Sequence, residues 1–102
     1  MSEYTVYVTP DALHDMKDLP GKVRQRVRRA VSDLASEPRP SPSKPLDVEG
    51  VSWEPRRLRI DRWRIIYVIS EAEKIVDVLA IRKRPPYDYG DLDSLLKDFH
   101  ST

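Results

Sequence analysis

The chain has 102 residues, no cysteine, and 18 basic against 17 acidic side chains, for a formal net charge of +1. That size suits one small domain spanning residues 1–102, and the lack of cysteine excludes a disulfide framework or a thiolate metal site, leaving His14 and His100 as the only imidazoles. The longest apolar run, Ile65 to Ile69, is five residues, and no basic segment with a long apolar stretch opens the chain, so the expectation is a cytoplasmic protein with no membrane span or secretory signal.

Tyr4 to Val8 alternates aromatic and β-branched residues and predicts a first strand. Thr9, Pro10 and Asp11 then offer a capping hydroxyl, a helix-compatible proline and an acid suited to the helix dipole, predicting a helix from Pro10 to Asp18. Leu19, Pro20 and Gly21 break it. A second helix is predicted to run to about Ser36, with Val23, Val27, Ala30, Val31 and Leu34 as its apolar stripe. Residues 21–30 carry five cations and no acid.

Four of the eight residues from Pro38 to Pro45 are proline, so an extended connector is expected there. Three strand candidates follow, Trp53 to Ile60, Trp63 to Ile69 and Lys74 to Arg82, separated by short polar turns and expected to form an antiparallel meander. Leu92, Leu95, Leu96 and Phe99 have helical spacing and predict a short amphipathic helix from Asp91 to Phe99.

Alternation within the strands puts Leu58 and Ile60 on one face of the sheet and Arg57 and Arg59 on the other. In the next strand Arg64 shares a face with Ile66 and Val68, opposite Trp63, Ile65 and Tyr67. Apolar residues on both faces mark it as a central strand. Residues 55–69 hold five arginines against Asp61 alone, and 12 of the 18 basic residues in the chain are arginine. Planar guanidinium groups suit bidentate phosphate recognition, so a polyanion is the partner this pattern favours.

Several segments in this order resemble the RelE/ParE superfamily of bacterial toxins. They are Leu19-Pro20 with Val23-Arg24, Pro38, Lys44-Pro45-Leu46, then Arg57-Leu58-Arg59-Ile60-Asp61-Arg62-Trp63-Arg64-Ile65-Ile66-Tyr67, and Val76 to Ile81 followed by Arg82-Lys83-Arg84 and Tyr87. The resemblance covers roughly residues 4–90. It implies an α+β fold of order β-α-α-β-β-β, with the helical hairpin packed on a mainly antiparallel sheet and a short C-terminal helix. RelE-like members are ribosome-dependent endoribonucleases that cut mRNA, ParE-like members inhibit DNA gyrase, and both are held by a co-expressed antitoxin. The implied partners are therefore a cognate antitoxin, in a hetero-oligomer, and the ribosome with its mRNA, with no membrane, cofactor or metal.

For the nuclease, the resemblance assigns Arg64 and Arg84 to transition-state stabilisation and Tyr87 to removal of the 2′ proton. It assigns Arg57, Arg59, Lys83 and Tyr89 to RNA or phosphate binding, with Tyr87 and Tyr89 as alternative functional tyrosines. Positions 57 and 59, lysine in some active RelE members, are arginine here, and a guanidinium is a poor proton donor. Lys83 is then the only ammonium of the cluster, and no residue is assigned to protonate the leaving group. Asp61 stands where related sequences often have a hairpin glycine, a position that asks for left-handed geometry. The alternative readings are a ParE-like gyrase toxin and an inactive domain that only binds its antitoxin. Outside the cluster, Arg24, Arg26, Arg28 and Arg29 are expected to solubilise their helix or meet an acidic antitoxin, Trp53, Trp63 and Tyr67 to pack, and His14 to be exposed.

Overall fold

The computed structural model describes residues 3–48 and 50–83. The predicted C-terminal helix, together with Arg84, Tyr87, Tyr89 and His100, lies outside the described residues. The elements run β1 (Thr5–Val8), α1 (Pro10–Lys17), α2 (Gly21–Asp33), β2 (Ser43–Pro45), β3 (Glu54–Ile60), β4 (Trp63–Ser70) and β5 (Ile75–Lys83). The five strands form one sheet in the order β1-β5-β4-β3-β2. The meander β3-β4-β5 is antiparallel as expected, and β1 joins it parallel to β5, Thr5 opposite Ile75 and Val8 opposite Val78.

Thr9 begins α1 as its composition predicts, its hydroxyl accepting from Ala12 N at 3.2 Å with Pro10 in the first turn. At the other end, Arg24 of α2 donates to the carbonyls of Lys17 and Leu19 at 3.2 and 2.9 Å, placing a cation where the helix dipole is negative. The second helix stops at Asp33 rather than near Ser36. Its last backbone bonds shorten to three-residue spacing, and the Ala35 carbonyl turns away to accept from Glu3 N and Tyr4 N at 3.1 and 2.9 Å, tying the chain's start to the helix end.

Both helices lie on one face of the sheet. Ala12, Met16, Val27, Val31 and Leu34 pack there against Leu58, Ile65, Tyr67, Ile69, Val76, Val78 and Ile81. On the opposite face, Leu46 packs over Ile66 and Ala80, while Val48, Val51 and Trp53 pack over Val68 and Leu79. The segment leading into β3 therefore folds back over part of the second face. This makes β4 apolar on both sides, with Ile65, Ile66, Tyr67 and Val68 each fully buried.

The connector contains a strand. Ser43, Lys44 and Pro45 pair antiparallel with Leu58, Arg57 and Arg56 as the outer strand of the sheet. Proline is compatible with an edge because one side of the strand needs no donor. Just before it, the Tyr67 hydroxyl donates to the Pro38 carbonyl at 2.7 Å, fixing the connector over the helix-covered face. The β3–β4 turn has Asp61 in the left-handed region at φ 54°, the geometry expected for that position.

Candidate phosphate-binding site

Register decides which cations meet. Lys44, Arg57 and Ile66 form one rung across β2, β3 and β4, and Arg59, Arg64 and Arg82 form another across β3, β4 and β5. Residues directly opposite in a sheet share a face, and the two rungs are two residues apart on β3, so Lys44, Arg57, Arg59 and Arg64 gather on the face away from the helices. The segment 46–53 covers that face further along, whereas Lys44 and Arg59 at this end are exposed. Pro42, Lys44, Arg57, Arg59 and Arg64 line a cleft of about 160 Å³ there. Among the described residues, no carboxylate lines it.

Arg64 forms the base of the cleft. It is 8 % exposed, and its Nη1 donates to the carbonyls of Asp61 and Trp63 at 3.0 Å each, so the guanidinium is braced by the turn beneath it. Arg57 is half-buried, while Arg59 and Lys44 are exposed at the rim. The cleft opens beside Lys44 and Arg59 into a wider groove bordered by Arg26, Ser41, Ile60 and Asp61. Arg26 of α2 forms an ion pair with Asp61 across that groove, so the acid of the β3–β4 turn is engaged by a helix cation.

Other cations are turned away. Lys83 stands opposite Trp63 in register, with its Nζ 5.9 Å from the indole centroid, on the helix side of the sheet. Arg82 reaches the edge of the sheet, where its Nη1 lies 3.3 Å from Asp15 Oδ2, the same oxygen that accepts from Ile81 N at 3.0 Å. Arg56 points to the helix side and donates to Ser43 Oγ at 2.9 Å and Glu54 Oε2 at 2.9 Å. His14 is exposed on α1 beside Asp18. Trp63 packs against the main core and Trp53 against the smaller cluster, and Tyr67 is buried, its phenol pKa pushed up chiefly by burial.

Of the sequence-predicted site residues, Arg57, Arg59 and Arg64 meet in one cleft, Lys83 does not line it, and Arg84, Tyr87 and Tyr89 fall outside the described residues. Lys44 is the addition. It corrects the expectation that Lys83 is the only ammonium of the cluster, because β2 carries a second one into the cleft itself. A strand-like reading of Ser43-Lys44-Pro45 would have found it, had the prolines around it not argued for a connector.

Chemically, three guanidinium groups and one ammonium on a concave surface that no described carboxylate lines can hold a phosphodiester, with planar forks for its non-bridging oxygens and a compact donor beside them. Among the described residues, no three His, Asp or Glu side chains are gathered as a metal site, and no helix is long and apolar enough to cross a membrane.

Comparison with known proteins agrees with this architecture. No curated protein matches the chain. The archaeal RelE in the RelE–RelB complex of Pyrococcus horikoshii is similar at 22 % identity with a TM-score of 0.72, covering 81 % of this chain and 97 % of that one. A chain of the RelBE2 toxin–antitoxin complex of Mycobacterium tuberculosis is similar at 29 % identity and a TM-score of 0.68, covering 80 % and 99 %. A mutant Escherichia coli toxin RelE in the free state is similar at 18 % identity and 0.67, covering 98 % and 99 %. The profile of the family described as ParE toxin of type II toxin–antitoxin system, parDE, matches residues 6–85. With that match running from the first strand past the last, the chain belongs to the ParE toxin family of type II toxin–antitoxin systems.

Proposed function

We propose that this toxin is a RelE-like endoribonuclease that cuts mRNA on the ribosome and is neutralised by a cognate antitoxin. The observation that supports it is the convergence of Arg57, Arg59 and Arg64, from two strands, on one cleft that no described carboxylate lines. Cleavage of RNA by its own 2′-hydroxyl requires stabilisation of charge growing on a crowded phosphate, and a preorganised ring of cations supplies that. Arg64, braced by two carbonyls, holds a non-bridging oxygen, and Arg57 and Arg59 hold the phosphate from the β3 side. Arg84 and Tyr87, with Tyr89 as the alternative phenol, complete the site in this proposal as second stabilising cation and 2′ base. A phenol does that work when neighbouring cations favour its ionised form.

The gyrase-directed reading is favoured by one observation, that the matching family profile is that of ParE toxins. Primer-extension mapping of mRNA after induction distinguishes the two. The nuclease reading expects discrete cuts in translated messages that vanish in the Arg57→Ala, Arg59→Ala double variant, whose far-UV circular dichroism is unchanged because neither side chain belongs to the core. Growth arrest accompanied by gyrase-linked DNA breaks and intact mRNA overturns it.

The structural neighbours from P. horikoshii and M. tuberculosis are toxin–antitoxin complexes, and the same kind of partner is proposed here. The clustering of cations on the hairpin face and on α2 suits an acidic, amphipathic antitoxin segment.

A further inference from the structure

We infer that Lys44 is the general acid of this site, donating the proton that the 5′-oxygen of the leaving nucleotide needs. The inference rests on the nuclease reading above and adds a residue to it. Transesterification forms a bond from the 2′-oxygen to phosphorus and breaks the bond from phosphorus to the 5′-oxygen, giving a 2′,3′-cyclic phosphate and a 5′-hydroxyl. The 2′ proton passes to the base, and the electron pair released onto the 5′-oxygen takes a proton from Lys44 Nζ. Solvent then restores the ammonium.

Three observations single out Lys44. First, the other cations lining the cleft, Arg57, Arg59 and Arg64, are guanidinium groups, which bind anions well and give up protons poorly. An ammonium is the stronger acid of the two cation types. Second, Lys83, the ammonium that the family resemblance assigns to the cluster, lies over Trp63 on the opposite side of the sheet, and Lys74 is held by Glu71 and the Tyr4 ring at the far turn. Third, the backbone carrying Lys44 is fixed on both sides although its side chain is exposed.

Ser43 N and Oγ both donate to the Pro40 carbonyl, at 2.9 and 2.7 Å, and Ser43 Oγ accepts from Arg56 Nη2 at 2.9 Å. Arg59 N donates to the Pro42 carbonyl at 3.3 Å and Leu46 N to the Pro55 carbonyl at 2.9 Å. Lys44 is thereby pinned directly opposite Arg57. A residue that only coats the surface has no need of such bracing, whereas a proton donor must be held within reach of the atom it serves.

The test uses two mRNAs in the A site of programmed ribosomes, one natural and one with a 5′-bridging sulfur at the cut position, a leaving group that departs without protonation. Against the natural message, Lys44→Ala and Lys44→Arg are each expected to cut about 100-fold or more slowly than wild type, the scale of general acid catalysis. Against the sulfur-containing message, Lys44→Ala is expected to match wild type within about threefold, since the acid is no longer required. Natural-message cutting by Lys44→Arg at the wild-type rate, or an equal loss on both messages in Lys44→Ala, overturns the assignment and leaves Lys44 a phosphate-binding or structural cation. Failure of the wild type to cut either message overturns the nuclease reading itself, and the assignment with it.

Discussion

Arg59 and Arg64 stand directly opposite each other on β3 and β4, two cations on one rung and one face of the sheet. Like charges so placed repel, by a few tenths to about 1 kcal/mol. The fold carries this cost between the base and the rim of the cleft, as a site built to receive an anion would. Replacing Arg59 with Gln is therefore expected to leave stability unchanged or raise it by up to about 1 kcal/mol, while abolishing growth arrest. Urea titration read beside toxicity checks it, and a clear loss of stability would show that Arg59 serves the fold instead.

Arg64 differs from its neighbour because its guanidinium holds two turn carbonyls. Arg64→Gln leaves those acceptors short of donors and is expected to cost about 1–3 kcal/mol as well as phosphate binding. The two variants thus separate in a denaturation experiment although they meet in the same cleft. Equal midpoints for both would contradict the brace.

Tyr67 is fully buried, and its hydroxyl is bonded to the Pro38 carbonyl. Tyr67→Phe removes that bond and leaves a buried carbonyl, at a cost of about 1 kcal/mol. For a domain of this size that lowers the melting temperature by about 4–8 °C. Calorimetry measures it directly, and an unchanged melting temperature would mean the connector is anchored by other contacts.

At the end of the sheet away from the cleft, Glu71 accepts from Tyr4 Oη and pairs with Arg39 and Lys74, which holds its carboxyl down from 4.5 to about 2. Glu54 is lowered too, chiefly by its hydrogen bonds from Arg39. A carboxylate with a depressed folded pKa contributes stability above its unfolded pKa and loses it as pH falls through the folded value. The melting temperature is therefore expected to drop between about pH 4.5 and pH 2, and the drop should be smaller in Glu71→Gln. An identical acid profile in that variant would remove Glu71 from the account.

The proposed phosphate contact by Lys44, Arg57, Arg59 and Arg64 would release counterions. For a single-stranded RNA oligonucleotide the logarithm of affinity should fall with the logarithm of salt at a slope near about −3, and each of Lys44→Ala, Arg57→Ala and Arg59→Ala should flatten it by about 0.7. Arg28→Ala, an exposed change on α2, should leave it unaltered. A slope near zero in wild type would remove RNA as the ligand of this cleft.

Much of this was legible in the chain itself. Alternation in β3 placed Arg57 and Arg59 opposite Leu58 and Ile60, alternation in β4 placed Arg64 on the face of Ile66 and Val68, and both the apolar stripe of α2 and the capping residues of α1 read correctly, because these are local periodicities set by backbone geometry. The double-sided character of β4 followed from its unbroken run of apolar residues. The ladder of arginines is a property of register, and only pairing of strands could bring Lys44 opposite Arg57 or turn Lys83 to the helix side beside Trp63. Residues 13 positions apart in the chain meet there because hydrogen bonding to β3 decides it, and the prolines that mask β2 in the sequence are tolerated at a sheet edge, where half of the backbone donors have no partner to serve.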